Sequence, residues 1–340
     1  MLDQCLNKSL GLKQESNIST DTAKLIRERD LYKDLYERLS NEIFRKVGRT
    51  PRVKILSCGA GMQSTALALM ACANKLIRDK RIEAEKFEFK YTEKVPIYDA
   101  ILFCDLGLEP AWVYSQVYFI QQACEWAGIP FYILESNLYK DYLKDFGNKR
   151  VVSIPFWSVD ERGKKGKMMR NCTLDYKISI MQKFVRQQLL GYKKGQRTKP
   201  EDIKAHEMHL GFSKEEERRC KENPHKMFVN KFPLCEMGLE RKDNYAYIKD
   251  IWGLETKASA CCFCPFHTNY FFKFIKKNNK EEYEKTLEFD QMLEDKQKDT
   301  KIRSKLYISK SRKRIKDLLP EECNDKQCFL YREEKVWNGF

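Results

Sequence analysis

Residues 53–65 read VKILSCGAGMQST, and this stretch decides the fold. A short apolar run at 53–56 leads straight into a turn that contains Gly59 and Gly61, and a helical stretch follows over 64–77. A strand, a glycine-rich loop and a helix in that order present backbone N–H groups and the positive end of the helix dipole to an anion. The loop has neither the Gly-Lys-Ser/Thr of a Walker sequence nor the third glycine of a dinucleotide fingerprint, so alone it fits a tight turn equally well.

The same alternation continues along the chain. Apolar runs at 100–104 and 131–134 flank a helical stretch over 111–127, and a fourth run lies at 207–212. Short apolar runs that alternate with amphipathic helices are typical of a parallel sheet covered by helices. We therefore predict an α/β protein with a doubly wound parallel sheet and a helical, cysteine-containing C-terminal part.

Changes in charge and apolar pattern divide the chain into three predicted parts. Residues 1–50 are strongly charged and show helical spacing of leucines, so we predict a helical N-terminal extension. Residues 51–270 carry the strand–helix alternation and form the predicted nucleotide-binding domain. Residues 271–340 are heavily charged and are predicted to form a basic helical C-terminal region.

Composition excludes several classes of protein. The 340 residues are 42% hydrophobic and 12% aromatic, which is too rich for a disordered chain and enough to bury a core. No apolar run approaches the roughly 20 residues of a membrane span, so we expect no membrane partner. Thirteen cysteines behind an acidic start without a hydrophobic stretch favour reduced thiols in a cytoplasmic protein over a disulfide framework.

The basic residues suggest a polyanionic partner. The formal net charge is +15, and residues 301–316 contain eight Lys and Arg side chains with no acidic residue between them. A second basic cluster at 162–170 leads directly to Cys172. Such runs are usually only a solvated face, but two of them, one beside a cysteine, favour tRNA or DNA as a partner.

Five segments resemble, in the same order, the motifs of the phosphoadenosine phosphosulfate (PAPS) reductase-like proteins. This family is a branch of the adenine nucleotide alpha hydrolase (PP-loop ATP pyrophosphatase) superfamily. The segments are the loop continued by Ser64-Thr65-Ala66-Leu67, Asp105-Leu106-Gly107-Leu108-Glu109, Arg170-Asn171-Cys172-Thr173 with Tyr176-Lys177, Leu210-Gly211-Phe212-Ser213 with Glu216 and Arg219, and residues 259–267 (SACCFCPFH). This chain departs from the pattern at Gln63, where the pyrophosphatases carry Asp, and at Leu106, which replaces Thr.

The resemblance implies a site for ATP and Mg²⁺ at the carboxyl ends of the strands. Asp105 is an implied Mg²⁺ ligand, and the implied catalytic residues are Cys172, Asp105 and Arg170. ATP would be split at its α-phosphate, with release of pyrophosphate. The implied nucleotide contacts are Ser57, Gly59, Gly61, Gln63, Ser64, Thr65, Gly107, Glu109, Gly211, Ser213 and Arg219.

The cysteines suggest a metal site. Cys261 and Cys264 have the Cys-x-x-Cys spacing that lets two thiolates face one metal. Cys172 follows a positively charged segment, which lowers a thiol pKa. The arrangement resembles sulfur-transfer enzymes in which three such thiolates hold a 4Fe–4S cluster with one open iron, and Cys262 is the alternative fourth ligand. The competing interpretation is a zinc site that includes His267.

Taken together, these features favour ATP-dependent sulfur transfer to a nucleic acid, either a tRNA base or the DNA backbone. A sulfur donor such as a cysteine desulfurase is the implied partner. The first alternative is a reductase of PAPS or adenylyl sulfate, although the tail Glu322-Cys323-Asn324-Asp325 lacks the Gly and His of the reductase motif. The second alternative is a zinc-knuckle nucleic-acid-binding protein without catalysis.

Overall fold

The computed structural model describes residues 52–87, 89, 92–146 and 153–319. The predicted N-terminal extension at 1–50 lies outside these residues, and so does the tail segment at 322–325. Within the described part of the chain, no helix is both long and apolar enough to cross a membrane.

Strands and helices alternate over most of the described residues. The strands there are β1 (Lys54–Cys58), β2 (Ala100–Asp105), β3 (Phe131–Glu135), β4 (Trp157–Val159), β5 (Lys165–Lys167), β6 (His206–Leu210), β7 (Phe228–Lys231) and β8 (Lys305–Tyr307). The α-helices are α1 (Met62–Arg78), α2 (Ala111–Ala127), α3 (Leu138–Asp145), α4 (Ser179–Phe184), α5 (Pro233–Glu236), α6 (Arg241–Ala246), α7 (Asn269–Asn278) and α8 (Lys280–Lys296).

Shorter helical stretches lie between these elements. Two π-helical stretches extend α4, namely Leu174–Ile178 before it and Val185–Leu189 after it. Another π-helical stretch, Tyr247–Ile251, follows α6. The 3₁₀ turns are Ala84–Lys86, Thr92–Lys94, Pro200–Asp202, Lys214–Arg219, Gln297–Asp299 and Ile315–Asp317.

Five strands form one parallel sheet in the order β3-β2-β1-β6-β7. The predicted α/β class and parallel sheet are therefore confirmed. Alternate residues of the central strands face two different cores, which explains why these strands are apolar throughout. Leu56 packs in the core formed with α1 and α2, whereas Ile55 packs in another core with Met181 and Val185. Both faces of the sheet are thus covered, as a parallel sheet requires.

The strand order reverses beside β1. Strands β2 and β3 extend the sheet on one side of β1, and β6 and β7 extend it on the other. In open parallel sheets, a ligand crevice forms at the carboxyl ends of the strands where the order reverses. The glycine loop follows β1 and Gly211 follows β6, so both lie where such a crevice is expected.

The C-terminal part has its own aromatic core. Helices α3, α7 and α8 contribute to it, together with a small antiparallel sheet in the order β5-β4-β8. Within this core, the ring centroids of Phe263 and Phe289 lie 4.5 Å apart. The basic run at 301–316, expected to be helical, contains β8 instead. Buried residues alternate along this segment as they do in a strand, because Leu306 and Ile308 are buried while Lys305 is exposed.

Arg314 differs from its neighbours in this basic run because it is buried. Its Nη1 atom donates to Asp290 Oδ1 at 3.1 Å and to the Asp290 carbonyl oxygen at 3.2 Å. The other carboxylate oxygen, Oδ2, accepts from the Ile315 backbone N–H at 2.8 Å. The pair fastens the basic run to α8, so Arg314 stabilises the fold and does not face a partner.

Arg314→Ala should destabilise the protein by about 3 kcal/mol at pH 7, because it leaves the buried Asp290 carboxylate without its partner. Lys310→Ala is the matched control, since Lys310 is exposed and its loss removes the same charge. The control should change stability by less than about 0.5 kcal/mol. Urea unfolding of both variants measures the difference, and equal stabilities would show that the ion pair contributes nothing.

Candidate nucleotide and thiol site

The glycine loop is closed by its own serine. The Gly59 backbone N–H donates to Ser64 Oγ at 3.1 Å, and Ser64 Oγ donates to the Gly61 carbonyl oxygen at 3.1 Å. Ala60 adopts the left-handed conformation, with a φ of 52°, to make the turn. No side chain of the described residues caps the start of α1 at Gly61. The first-turn N–H groups of α1 have no partner within the helix, which suits an anion.

Gly211 brings the end of β6 against this loop. A Cβ atom at Gly211 would lie 2.7 Å from the backbone nitrogen of Ser64 and 2.9 Å from the carbonyl carbon of Gln63. Side chains do not tolerate such approaches to backbone atoms, so only glycine fits there. The predicted nucleotide-binding residues that follow β1 and β6 are thus in direct backbone contact.

Asp105 shapes the second predicted motif. Its Oδ1 atom accepts from the Gly107 backbone N–H at 2.8 Å and from the Tyr114 hydroxyl at 3.1 Å. Gly107 has a φ of 94°, a conformation that favours glycine. Asp105 is buried, and these bonds give it a role in holding the turn after β2 that the sequence did not predict.

The cysteine-bearing segment crosses the glycine loop. Ser259 Oγ donates to the Gly59 carbonyl oxygen. Gln116 of α2 holds the same segment, because its side chain accepts from the Lys257 backbone N–H at 2.6 Å and donates to the Ala60 carbonyl oxygen. The segment that leads to Cys-x-x-Cys is therefore fixed to the loop by side chains from two elements.

The same segment also joins the Asp105 motif. The Cys262 backbone N–H donates to the Leu108 carbonyl oxygen at 2.9 Å. Cys262 itself is fully buried in the C-terminal core. Three of the five motifs described from the sequence are thus linked by hydrogen bonds at the carboxyl edge of the sheet.

Glu109 and Lys177 lie next to the cysteines. Glu109 is fully buried, and neither of its carboxylate oxygens has a hydrogen-bond partner among the described residues. Burial raises the pKa of Glu109 to about 7, against an opposing effect of the Lys177 ammonium. Burial lowers the pKa of Lys177, but the neighbouring Glu109 carboxylate and the thiols of Cys261 and Cys172 outweigh it, so this pKa is raised overall.

Cys261 and Cys264 form a polarised pair of thiols. The Cys264 backbone N–H donates to the Cys261 carbonyl oxygen at 2.9 Å, which brings the two cysteines together in one turn. Interaction with the Cys261 thiol and, to a smaller extent, the Arg170 guanidinium lower the pKa of Cys264, while the pKa of Cys261 is raised. Of the two thiols, Cys264 is therefore the one whose ionisation is favoured.

Cys172 lies in the same region but outside this pair. Its backbone N–H donates to the Ser153 carbonyl oxygen at 2.7 Å, and its side chain packs on the C-terminal core together with Cys264. Within the described ranges, no three His, Cys, Asp or Glu side chains are grouped so that they could hold a metal ion. The implied 4Fe–4S cluster on Cys172, Cys261 and Cys264 stays a prediction.

His267, the residue of the zinc interpretation, contacts the cysteine loop through the backbone. Its Nε2 atom lies 2.9 Å from the Cys261 carbonyl oxygen, and its ring stacks on Phe271 at 3.6 Å between centroids. Burial lowers the pKa of His267 to about 4, so the ring is neutral and donates this bond. His267 thereby holds the cysteine loop in place.

Other predicted nucleotide contacts lie in the first turns of α1 and in the segment after β6. Gln63 Nε2 donates to Glu216 Oε2 at 2.8 Å, and Arg219 forms an ion pair with the other oxygen of Glu216. Thr65 and Ser213 are fully buried, and their hydroxyl oxygens have no hydrogen-bond partner in the part of the chain that the structure describes. Buried hydroxyls without a partner are costly unless a ligand or water completes them.

Three residues of the site had no role predicted from the sequence. Lys177 and Ser259 appeared only as end residues of quoted motifs, and Gln116 lies in a helix that gave no functional signal. A buried carboxyl and an ammonium beside thiols become apparent only when the fold brings the end of β2 and the segment before α4 together.

No family model, curated protein or solved structure matches the chain. The likeness to the PAPS reductase-like proteins therefore rests on the quoted motifs alone. In the structure, residues from these motifs contact one another at a single edge of the parallel sheet.

Gly211→Ala should destabilise the protein by about 2 kcal/mol, because the added methyl must displace the backbone of the first turn of α1. Gly59→Ala is the matched control for stability, since its added Cβ would meet only Ser259 Oγ, at 3.9 Å. Urea unfolding measures both effects, and equal stabilities of the two variants would contradict the close approach. Calorimetric titration should also show weaker ATP binding by Gly211→Ala than by the wild type.

Glu109→Gln should remove a pH-dependent loss of stability. The pKa of this carboxyl is taken as its ordinary value of 4.5 in the unfolded chain, and it is about 7 in the folded chain. Wild-type stability therefore falls between these values as the pH rises, because the unfolded chain releases the proton first. At pH 8 the variant should be more stable than the wild type by up to about 3 kcal/mol, and near pH 4 the two should be equal.

The control for this titration is Glu85→Gln, which changes an exposed carboxyl. It should leave the dependence of stability on pH as in the wild type. Urea unfolding at pH 4 and pH 8 measures the free energy of unfolding of each variant. If Glu109→Gln keeps the wild-type dependence of stability on pH, another group causes that dependence.

Proposed function

We propose that the chain is an ATP-dependent, adenylating enzyme that transfers sulfur to a nucleic acid. The observation that carries this proposal is the passage of the cysteine-bearing segment over the glycine loop, where Ser259 bonds to Gly59. A polarised thiol pair is thereby held beside a loop suited to phosphate. A plain tight turn in an α/β fold would give no reason for this proximity.

In the nucleotide part of the proposal, the ATP phosphates bind at the start of α1. The uncapped N–H groups of its first turn and the helix dipole attract the phosphates. The buried hydroxyls of Thr65 and Ser213 supply hydrogen bonds that the described residues leave incomplete. Mg²⁺, when bound, neutralises phosphate charge, and Asp105 is its candidate ligand. A substrate oxygen attacks the α-phosphorus, and pyrophosphate leaves with the electron pair of the broken bond.

The thiol part of the proposal supplies the sulfur nucleophile. The Cys264 thiolate attacks the terminal sulfur of an external persulfide donor, the S–S bond of the donor breaks, and the donor leaves as a thiolate. The terminal sulfur of the resulting Cys264 persulfide attacks the adenylated centre, and AMP leaves. The Cys261 thiolate then attacks the Cys264 sulfur, which releases the thiolated product and leaves a Cys261–Cys264 disulfide. An external dithiol reduces that disulfide and is itself oxidised. The metal cluster implied by the resemblance has no part in this proposal, because the described residues do not group around one.

The nucleic-acid part of the proposal is based on the small antiparallel sheet. Strand β4 pairs on one side with β5, from the first basic run, and on the other side with β8, from the second. Trp157 lies opposite both Lys167 and Tyr307, and Val159 lies opposite Lys165 and Lys305, both exposed. Two basic runs that are far apart in the sequence therefore come together on one sheet, which suits a chain of phosphates.

Cys264→Ser should separate the two half-reactions. Pyrophosphate release that depends on tRNA or duplex DNA should continue, whereas incorporation of radioactive sulfur should fall at least about 100-fold, because a hydroxyl cannot carry a persulfide. Cys262→Ala is the matched control, since Cys262 is buried beside the pair and should retain incorporation. Pyrophosphate and sulfur are measured in the same reaction with a persulfide donor and a dithiol.

Three results would overturn the proposal. Release of sulfite from PAPS without nucleic acid would assign a reductase. Nucleic-acid binding without any pyrophosphate release would leave a binding protein. Full sulfur incorporation by Cys264→Ser would remove the thiol pair from the reaction.

A further inference from the structure

We propose that one surface of the small sheet binds an unpaired stretch of nucleic acid and stacks a base on Phe266, beside Cys264. We call it the aromatic–basic face, and it consists of Trp157, Lys167, Arg170, Phe266 and Arg312. This inference rests on the proposed function and deepens it, because it names the substrate as single-stranded at the point of reaction.

Phe266 supplies the stacking platform. Its side chain is 46% exposed, although it follows the buried Pro265. Lys167 Nζ lies 4.9 Å from the ring centroid, and Arg170 Cζ lies 5.4 Å from it. Both cations are exposed, and neither forms an ion pair within the described ranges. Single exposed apolar side chains are common, but a ring between two such cations is the arrangement of single-strand-binding grooves.

Trp157 joins this platform to the sheet. Its Nε1 atom donates to the Pro265 carbonyl oxygen at 2.8 Å, directly before Phe266. Lys167 Nζ lies 5.4 Å from the Trp157 ring, and Arg312 Cζ lies 5.3 Å from the same ring. The guanidinium of Arg312 is oriented by bonds to backbone carbonyl oxygens of the two neighbouring strands β4 and β5. The face is thus built from fixed aromatic rings and oriented cations.

A groove continues the face along the second basic run. This open groove has a volume of about 1300 Å³, and Arg312 belongs both to its lining and to the face. Basic side chains outnumber acidic ones in the lining, and the exposed cations there include Lys301, Arg303 and Lys305. Phosphates of a strand that leaves Phe266 would therefore meet further positive charge.

The platform lies next to the reacting sulfur. Phe266 follows Cys264 by two residues in a turn that the His267 backbone N–H closes by donating to the Cys264 carbonyl oxygen at 3.1 Å. A base on the Phe266 ring is consequently close to a persulfide on Cys264. In a duplex both faces of a base are stacked on its neighbours, so a base can reach this ring only where the strand is unpaired or the base is flipped out.

The face reads neither the sugar nor the base edge. Its contacts are a ring, which accepts any base, and cations, which bind phosphates. Single strands of DNA and of RNA should therefore bind alike, within about threefold. A duplex of the same length should bind more weakly.

The test is fluorescence anisotropy of the full chain with three labelled probes: a 12-residue oligo-dU, a 12-residue oligo-U and a 12-base-pair DNA duplex. ATP is left out, so that binding is measured apart from the reaction. Phe266→Ala should weaken binding of both single strands about tenfold or more, and Phe266→Tyr should restore it because a ring is present again. Because stacking releases no counterions, Phe266→Ala should leave the salt dependence of binding unchanged.

Lys167→Ala should show the opposite pattern. It should make the negative slope of log K against log salt shallower by about 0.7 and weaken binding of all single strands similarly. The matched controls are Ile203→Ala and Lys194→Ala, which truncate an exposed apolar side chain and an exposed lysine outside the face. Ile203 precedes β6 and so lies at the amino edge of the parallel sheet. Both controls should bind as the wild type does.

Each outcome has one meaning. Wild-type affinity of Phe266→Ala for the single strands, or a duplex bound more tightly than either single strand, would overturn the inference. A large difference between oligo-dU and oligo-U would overturn its independence of the sugar. Binding that follows the expected pattern, in a protein that releases no pyrophosphate with ATP, would reject the proposed function and leave the face as a single-strand-binding surface.

Discussion

The hydrogen bond from Ser259 to the Gly59 carbonyl oxygen is the contact on which the site depends. It joins the turn after the first strand to a segment that is distant in the sequence and carries the thiol pair. Gln116 supports the same junction from α2. Because the loop is also in contact with Gly211, the loop cannot move without moving both the β6 side and the cysteine segment. The side-chain hydrogen bonds of Ser259 and Gln116 thereby hold the cysteine segment against the loop.

The electrostatics of the site follow from burial. Glu109 is enclosed without hydrogen-bond partners among the described residues, so its proton is held far more tightly than that of an ordinary carboxyl. Lys177 keeps its charge because carboxyl and thiol groups surround it. Between the paired thiols, the interaction with Cys261 is the largest of the effects that lower the pKa of Cys264. Charge at this edge is thus set by a few neighbours and not by the excess of basic residues on the surface.

Much of the fold could be predicted from the sequence, because the parallel strands are short apolar runs separated by helices. The bounds of β1 to β3 and of the two helices between them differ from the predictions by at most two residues. β7 was not predicted, since Phe228–Lys231 is an edge strand without a continuous apolar run. The small sheet was not predicted either, because strands of three residues are too short to show a period.

The site was predictable where a motif fixed the backbone and not where packing decided the outcome. The turns at Gly61 and Gly107 follow from glycine and from the strand ends. The separation of Cys172 from the Cys261–Cys264 pair depends on how two loops pack, which spacing in the sequence does not encode. Arg314 belongs to a run of eight cations, and only its burial beside Asp290 distinguishes it as a structural residue.

The pairing of β4 with β8 has a consequence for how the protein is made. These strands are far apart in the chain, so β4 can pair with β8 only after the residues between them have been synthesised. During synthesis the parallel sheet can assemble first, while β4 waits for a partner that emerges from the ribosome only after every strand of that sheet. A nascent chain would therefore acquire its glycine loop well before its basic surface.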